Sequence, residues 1–353
     1  VNEELIKRKV EHIDICLKKQ VEAKRPTLFE CIHLIHNALP ELNFDSIDIS
    51  TSFLNHKFST PILIDAMVGG APESFEINKN LALVAEELGI GIVVGSQRAG
   101  LSFPSLAETY SIIRKEAPSI FLAANIGATQ LLKGFGKNEA QRCIDMIRAD
   151  AFVIHLNPLQ EVIQVGGEPH YKGIIDKIRN LVDQLSLPVI VKEVGFGISK
   201  EVATKLELVG VSAINISGSG GTSWSAVEHY RALDLNDKEK ADLGKTFWDW
   251  GLPTAASLIE TRKAVKIPII ASGGIRNGLD IAKSLALGAN LAGMALPVLK
   301  QAAISRDSLA SFLRKINYEF KTVMFAVGCS NVQAMKKVRY VITGELADWS
   351  KQS

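Results

Sequence analysis

Val211-Ser-Ala-Ile-Asn-Ile-Ser-Gly-Ser-Gly-Gly-Thr222 and Pro268-Ile-Ile-Ala-Ser-Gly-Gly-Ile-Arg276 share one pattern: an apolar run followed by a glycine-rich turn. Glycine lets the backbone come close to a phosphate, and the N–H groups carry partial positive charge without a side chain. In a (β/α)8 barrel the loops behind the last strands form a phosphate site at the C-terminal face. The two stretches therefore predict a phosphorylated cofactor over the mouth of such a barrel.

Working outward from them, short apolar runs recur with helical patterns between. Strands are expected at 62–66, 92–95, 120–125, 152–156, 189–192, 213–216, 269–271 and 291–294. Several are apolar throughout, as parallel strands covered on both faces must be. Helical spacing of apolar residues marks 73–88, 138–148, 172–185, 200–208, 254–265 and 279–287. A further helix over 308–327 should close the barrel. Pro61, Pro188 and Pro268 open strands, where a missing N–H matters least. The expected fold class is α/β, a (β/α)8 TIM barrel with an N-terminal extension over residues 1–60, in one domain spanning 1–353. A doubly wound open sheet is the alternative, but no G-x-G-x-x-G follows the first strand. The stretch 228–250 is longer than a usual loop and reads as a lid or insertion.

Composition narrows the function classes. The chain has 353 residues, 47% hydrophobic and 22% charged, with a net charge of +2 and no basic stripe, which argues against nucleic acid as a partner. Its apolar window at 284–299 is too short and too interrupted for a membrane span. The cysteines, Cys16, Cys31, Cys143 and Cys329, form no C-x-x-C pair, so a cytoplasmic location is expected.

Active sites of this fold gather at the C-terminal strand ends. Read in order, those ends carry Ala66, Met67 and Val68, then Ser96, Gln97 and Arg98, then Asn125. His155 to Glu161, Lys192, Ser217 to Thr222, Gly274 to Arg276 and Ala295 follow. Ser, Asn, Lys and Thr suit the polar rim of a flat heterocycle, and a lysine beside a flavin can hold negative charge on the reduced ring. The tail phosphate would rest on the Gly273–Arg276 backbone and Ala295, with the helix starting near Asn277 aimed at it. A second anion site is expected. Arg8, Lys9 and His12 share a helical face, Arg98 and His155 could converge on the same anion, and Glu161 can hold Mg²⁺ that bridges phosphates.

The motifs Arg8-Lys9-x-x-His12, Ala66-Met67-x-Gly69-Gly70, Gly95-Ser96-Gln97, His155-Leu156-Asn157-x-x-Gln160-Glu161, Lys192-Glu193-Val194-Gly195-Phe196-Gly197, Gly220-Gly221-Thr222 and Ser272-Gly273-Gly274 occur in this order. In them the chain resembles the type 2, FMN-dependent isopentenyl-diphosphate Δ-isomerases, from about Arg8 to Glu345. The resemblance implies allylic proton transfer between isopentenyl and dimethylallyl diphosphate, with FMN in reduced form, NADPH or another reductant, and Mg²⁺. It implies substrate binding by Arg8, Lys9, His12, Ser96, Gln97, Arg98, Asn157, Gln160 and Trp224, and metal binding by Glu161. FMN would meet Ala66, Met67, Val68, Ser96, Asn125, Lys192, Ser217, Thr222, Gly274, Ile275, Arg276, Ala295 and Leu296. Gln160, Lys192 and His155 would serve the chemistry. It also implies a homo-oligomer, tetramer or octamer. Two departures stand out: Val68 replaces the usual Thr, which removes a hydroxyl, and Asp65 stands where Asn is common.

Two rivals share the barrel. An FMN-dependent 2-hydroxy-acid oxidase or dehydrogenase would place a His and an Arg near the end of strand six, and Ser217–Thr222 contains neither. A non-catalytic flavin-binding protein would leave Arg8, Lys9, Gln160 and Glu161 without a task.

Overall fold

In a computed structural model, which describes residues 2–352, eight parallel strands close into a barrel. They run Ile62–Ile64, Gly91–Val93, Leu122–Gly127, Ala151–His155, Val189–Lys192, Ala213–Asn215, Ile269–Ser272 and Leu291–Met294. Each pairs in parallel with its neighbours, and the last pairs with the first through Gly293 and Leu63. The expected strands therefore lie where the apolar runs are, with ends shifted by a residue or two. Alternate residues explain why they are apolar on both faces. Leu63, Val93, Ala123, Val153, Ile190, Ala213, Ile270 and Leu291 fill the barrel, while Ile62, Ile64, Ile92 and Ile154 face the helices. The strand-opening prolines lose no ladder bond. Pro61, Pro188 and Pro268 each offer their carbonyl to the preceding strand around the barrel, for example Pro268 O to Ile214 N at 3.0 Å.

The N-terminal end of the barrel is sealed and apolar. A hairpin, Thr51–Phe53 paired with His56–Phe58, drives Phe53 and Phe58 against Phe121. Its turn places Leu54 and Asn55 at positive φ, as a tight hairpin turn requires. The opposite end is open. Helix Asn2–Lys18 lies against it, and a ribbon of Ile32–Leu34 with Tyr340–Ile342 ties the N-terminal segment to the C-terminal one.

The structure differs from expectation in two places. Residues 228–250, expected as a lid or insertion, are mostly helical rather than a lid loop. They belong to two helices, Trp224–Asp234 and Lys238–Thr246, packed closely because Gly244 meets the Ser225 carbonyl and His229. The far end is anchored by Trp248, whose indole donates to Glu22 O at 3.0 Å. A helix at Glu108–Glu116 was not expected between strands two and three; it is only nine residues long. No described helix is long and apolar enough to cross a membrane. All four cysteines are free thiols.

Candidate active site

A cavity of about 230 Å³ opens at the C-terminal strand ends. Every residue expected from the sequence to bind cofactor, substrate or metal lines it, with one exception. Gln97 is fully buried outside it: its amide donates to Cys143 O at 3.0 Å and accepts from Asn125 N at 3.1 Å. It braces strands two and three, so its expected substrate contact is corrected.

One side of the mouth is made of backbone. The two glycine loops press directly on each other. A Cβ on Gly273 (φ +98°) would stand 2.1 Å from Gly218 O, and one on Gly221 would stand 2.3 Å from Gly274 N. The glycines are thus required first for loop-on-loop approach, and of them Gly273 and Gly274 line the cavity. Ser217 beside them holds a left-handed φ of 39°. The helix expected to aim at a phosphate from Asn277 does not do so. Asn277 Oδ1 accepts from Asp280 N, Glu319 accepts from Gly278 N, and Asp280 accepts from Arg276 N. A helix start without a side-chain cap does lie at the cavity beside the Gly273–Gly274 loop: that of Leu296–Ile304, starting at Ala295. Arg276 lines the cavity, but its guanidinium is paired with Glu22 and bonded to Ile275 O.

The floor is a polar network at the strand ends. Lys192 Nζ donates to Glu193 O at 2.6 Å and lies 3.7 Å from Asp65 Oδ2. Asp65 also accepts from Ala66 N at 2.8 Å and from Asn215 at 3.0 Å, and Asn215 accepts from Ser272 Oγ at 2.6 Å. Glu193 accepts from three successive N–H groups, Val194 to Phe196. Burial pushes its carboxyl up to about 7 against the pull of those donors. His155 Nδ1 lies 3.0 Å from Asn125 Oδ1. Because Asn125 Nδ2 already donates to Val94 O, its Oδ1 accepts, and His155 carries its proton on Nδ1. Burial, then Lys192 and Lys9, hold the imidazole down to about 3. His155 is therefore held neutral in this site, with a bare Nε2 lone pair.

The other side is made of side chains. Gln160 is held at both ends of its amide: Nε2 donates to Glu228 at 3.2 Å and Oε1 accepts from Asn157 at 3.2 Å. Asn157 also donates to Glu161 at 2.9 Å and accepts from the Tyr171 hydroxyl. Its polar atoms are committed to positioning Gln160 and Glu161. Glu161 takes a second bond from Glu168 N at 2.7 Å. No described group of three or more His, Cys, Asp or Glu residues is arranged to hold a metal. Arg98 approaches Glu168 at 3.7 Å. Lys9 donates to Gly69 O at 2.6 Å and Ser96 O at 2.9 Å, with Tyr110 Oη at 3.4 Å. Its donors clamp the N-terminal helix to the mouth. Burial, with Arg8 and Arg98 nearby, pushes its ammonium down to about 7.

Sequence reasoning passed over Glu228. It is buried in the helix after strand six and gathers His12 at 2.9 Å and Gln160 on one oxygen, with Arg231 3.6 Å from the other. Turned to satisfy its neighbours, the Gln164 amide also donates to Glu228 and accepts from Arg8 at 2.9 Å. Burial raises the Glu228 carboxyl, but His12, Gln160 and Arg231 outweigh it and keep it below its ordinary value. No local motif marks this residue; only the packing of helix 224–234 on helix 2–18 brings it there. Trp224, on the same helix, meets the His12 ring edge-on at 5.1 Å. Val68 is buried among apolar neighbours, and its carbonyl accepts from Gly95 N at 3.2 Å, so the position presents backbone and hydrocarbon.

A sequence profile of FMN-dependent dehydrogenases matches residues 158–341. A protein of Methanothermobacter thermautotrophicus named isopentenyl-diphosphate delta-isomerase is 46% identical, covering 98% of this chain and 95% of its own. One of the same name from Pyrococcus horikoshii is 47% identical, over 100% and 96%. Among solved structures, an Arg-to-Lys variant of flavocytochrome b2 superimposes with a TM-score of 0.69 over 99% of this chain and 87% of its own. At 16% identity that likeness concerns the fold.

Proposed function

The chain belongs to the isopentenyl-diphosphate delta-isomerase family, and from that premise we propose that it interconverts isopentenyl and dimethylallyl diphosphate on reduced FMN, with NADPH as reductant and Mg²⁺ on the diphosphate. The observation that carries this reading is one cavity lined by two anion-seeking sets of groups together with Lys192 and Gln160. One set is the glycine backbone with the uncapped helix start at Ala295, and the other is Arg8, Arg98 and Glu161.

The donor set fits FMN. The Gly273–Gly274 backbone and the Ala295 helix start, both lining the cavity, suit a phosphate. Met67, Ser96, Asn125, Lys192, Ser217 and Thr222 suit the rim and faces of a flat ring. When bound, the reduced flavin supplies a group able to give and take a proton at an allylic carbon. The chain's own part is to position. Arg8 and Arg98 would hold the diphosphate, and Arg98 would exchange its contact with Glu168 for it. Glu161 is a lone carboxylate, and Mg²⁺ is commonly bound by one or two carboxylates plus substrate phosphates. Gln160, fixed by Asn157 and Glu228, would orient the hydrocarbon end, and Trp224 would shield it. His155 would accept a hydrogen bond through Nε2.

Given isopentenyl diphosphate, FMN and Mg²⁺, the protein should form dimethylallyl diphosphate once NADPH or dithionite has bleached the flavin, and none before. Equal turnover with oxidised flavin would overturn the mechanism. Glu161→Gln should raise the Mg²⁺ requirement and leave the FMN content unchanged.

A further inference from the structure

We propose that Asp65 sets the charge of the cofactor floor: by pairing with Lys192 it weakens the preference of the site for reduced over oxidised FMN. The inference rests on the reading above, in which the flavin ring lies against Lys192. Lys192 ends strand five and Asp65 directly follows strand one, with side chains 5% and 4% exposed, and both line the cavity. Their charged atoms are 3.7 Å apart. The carboxylate cannot swing away, because Ala66 N holds one oxygen and Asn215 the other, and Ser272 in turn fixes Asn215.

The remaining charged groups leave this pairing in place. Glu193 spends its carboxylate on the N–H groups of Val194 to Phe196, His155 on the adjoining strand is neutral, and the Lys9 ammonium is bonded to Gly69 and Ser96. Asp65 is therefore the counter-charge of Lys192. A hydride from a nicotinamide adds two electrons and one proton to the flavin and leaves the ring one charge more negative. An unpaired lysine would favour that anion strongly, whereas a lysine–aspartate pair is neutral overall and favours it less.

The test is the midpoint potential of the FMN-loaded protein, read by anaerobic reduction against a reference dye. Asp65→Asn should favour reduced over oxidised FMN about tenfold more than the wild type, a rise of about 30 mV for a two-electron couple. Lys192→Met should shift it the other way. A Lys192→Met shift with no Asp65→Asn shift overturns the proposal and leaves the flavin placement standing. No shift in either variant means that the ring does not lie against Lys192. If Asp65→Asn alone does not fold, the Asp65→Asn/Lys192→Met double variant decides. The proposal expects a potential near the wild type, and a fall equal to that of Lys192→Met overturns it.

Discussion

The two walls of the cavity are built from different materials. The wall of Gly273 and Gly274 is backbone packed against the Gly218–Gly221 backbone, with gaps too small for a Cβ. The wall of Arg8, His12, Gln160 and Glu161 is side chains, each steered by a buried partner such as Glu228 or Asn157. A backbone wall carries its specificity in the absence of side chains, so it tolerates almost no substitution. A side-chain wall can lose one member and keep its shape, so its losses should appear in rate before they appear in binding.

Breaking the backbone wall should have the largest effect. Gly273→Ala forces a Cβ to within 2.1 Å of Gly218 O at a φ of +98°, which L-residues rarely adopt. The purified variant should hold little or no FMN by its visible spectrum. Wild-type FMN content would place the phosphate elsewhere.

On the side-chain wall, Gln160→Ala should lower kcat by roughly 10²-fold, since misplacing a reacting group by about 1 Å costs that much. FMN content and diphosphate affinity should stay near wild type. Unchanged kcat would make Gln160 a packing residue only.

The smallest effect sharpens the comparison at the floor between the walls. His155 has its pKa lowered from 6.5 to about 3, so the unfolded chain binds a proton in that window and the folded protein does not. Its contribution to stability is present above 6.5 and is lost as pH falls towards 3. His155→Gln should therefore shrink the stability difference between pH 7 and pH 4.5 by about 2.5 kcal/mol in urea unfolding. An unchanged difference would mean that the imidazole is protonated in the fold.

How much of this could be read in advance differs between the walls. The glycine loops were legible because glycine after an apolar run is a local signal. Even there the phosphate-facing helix was misassigned: Asn277 looks like a free helix start until Glu319, from a distant helix, is seen bonded to Gly278. Gln97 shares its strand-end position with Ser96, but its amide faces inward to Cys143. The orientation of neighbouring residues alternates with backbone geometry, which residue type alone does not report.

The amino-acid sequence by itself determined the eight apolar strands, most of the helices between them and the residues crowding the C-terminal rim. Periodicity and glycine placement act within a few neighbours along the chain. Only the tertiary structure decided the charge state of His155, the commitment of Lys9 to carbonyls, the Asp65–Lys192 pair and the gathering role of Glu228. Those depend on burial and on partners as far as 216 positions away, as with His12 and Glu228. Electrostatics in a low-dielectric interior is set by what folding brings near, and no local pattern records it.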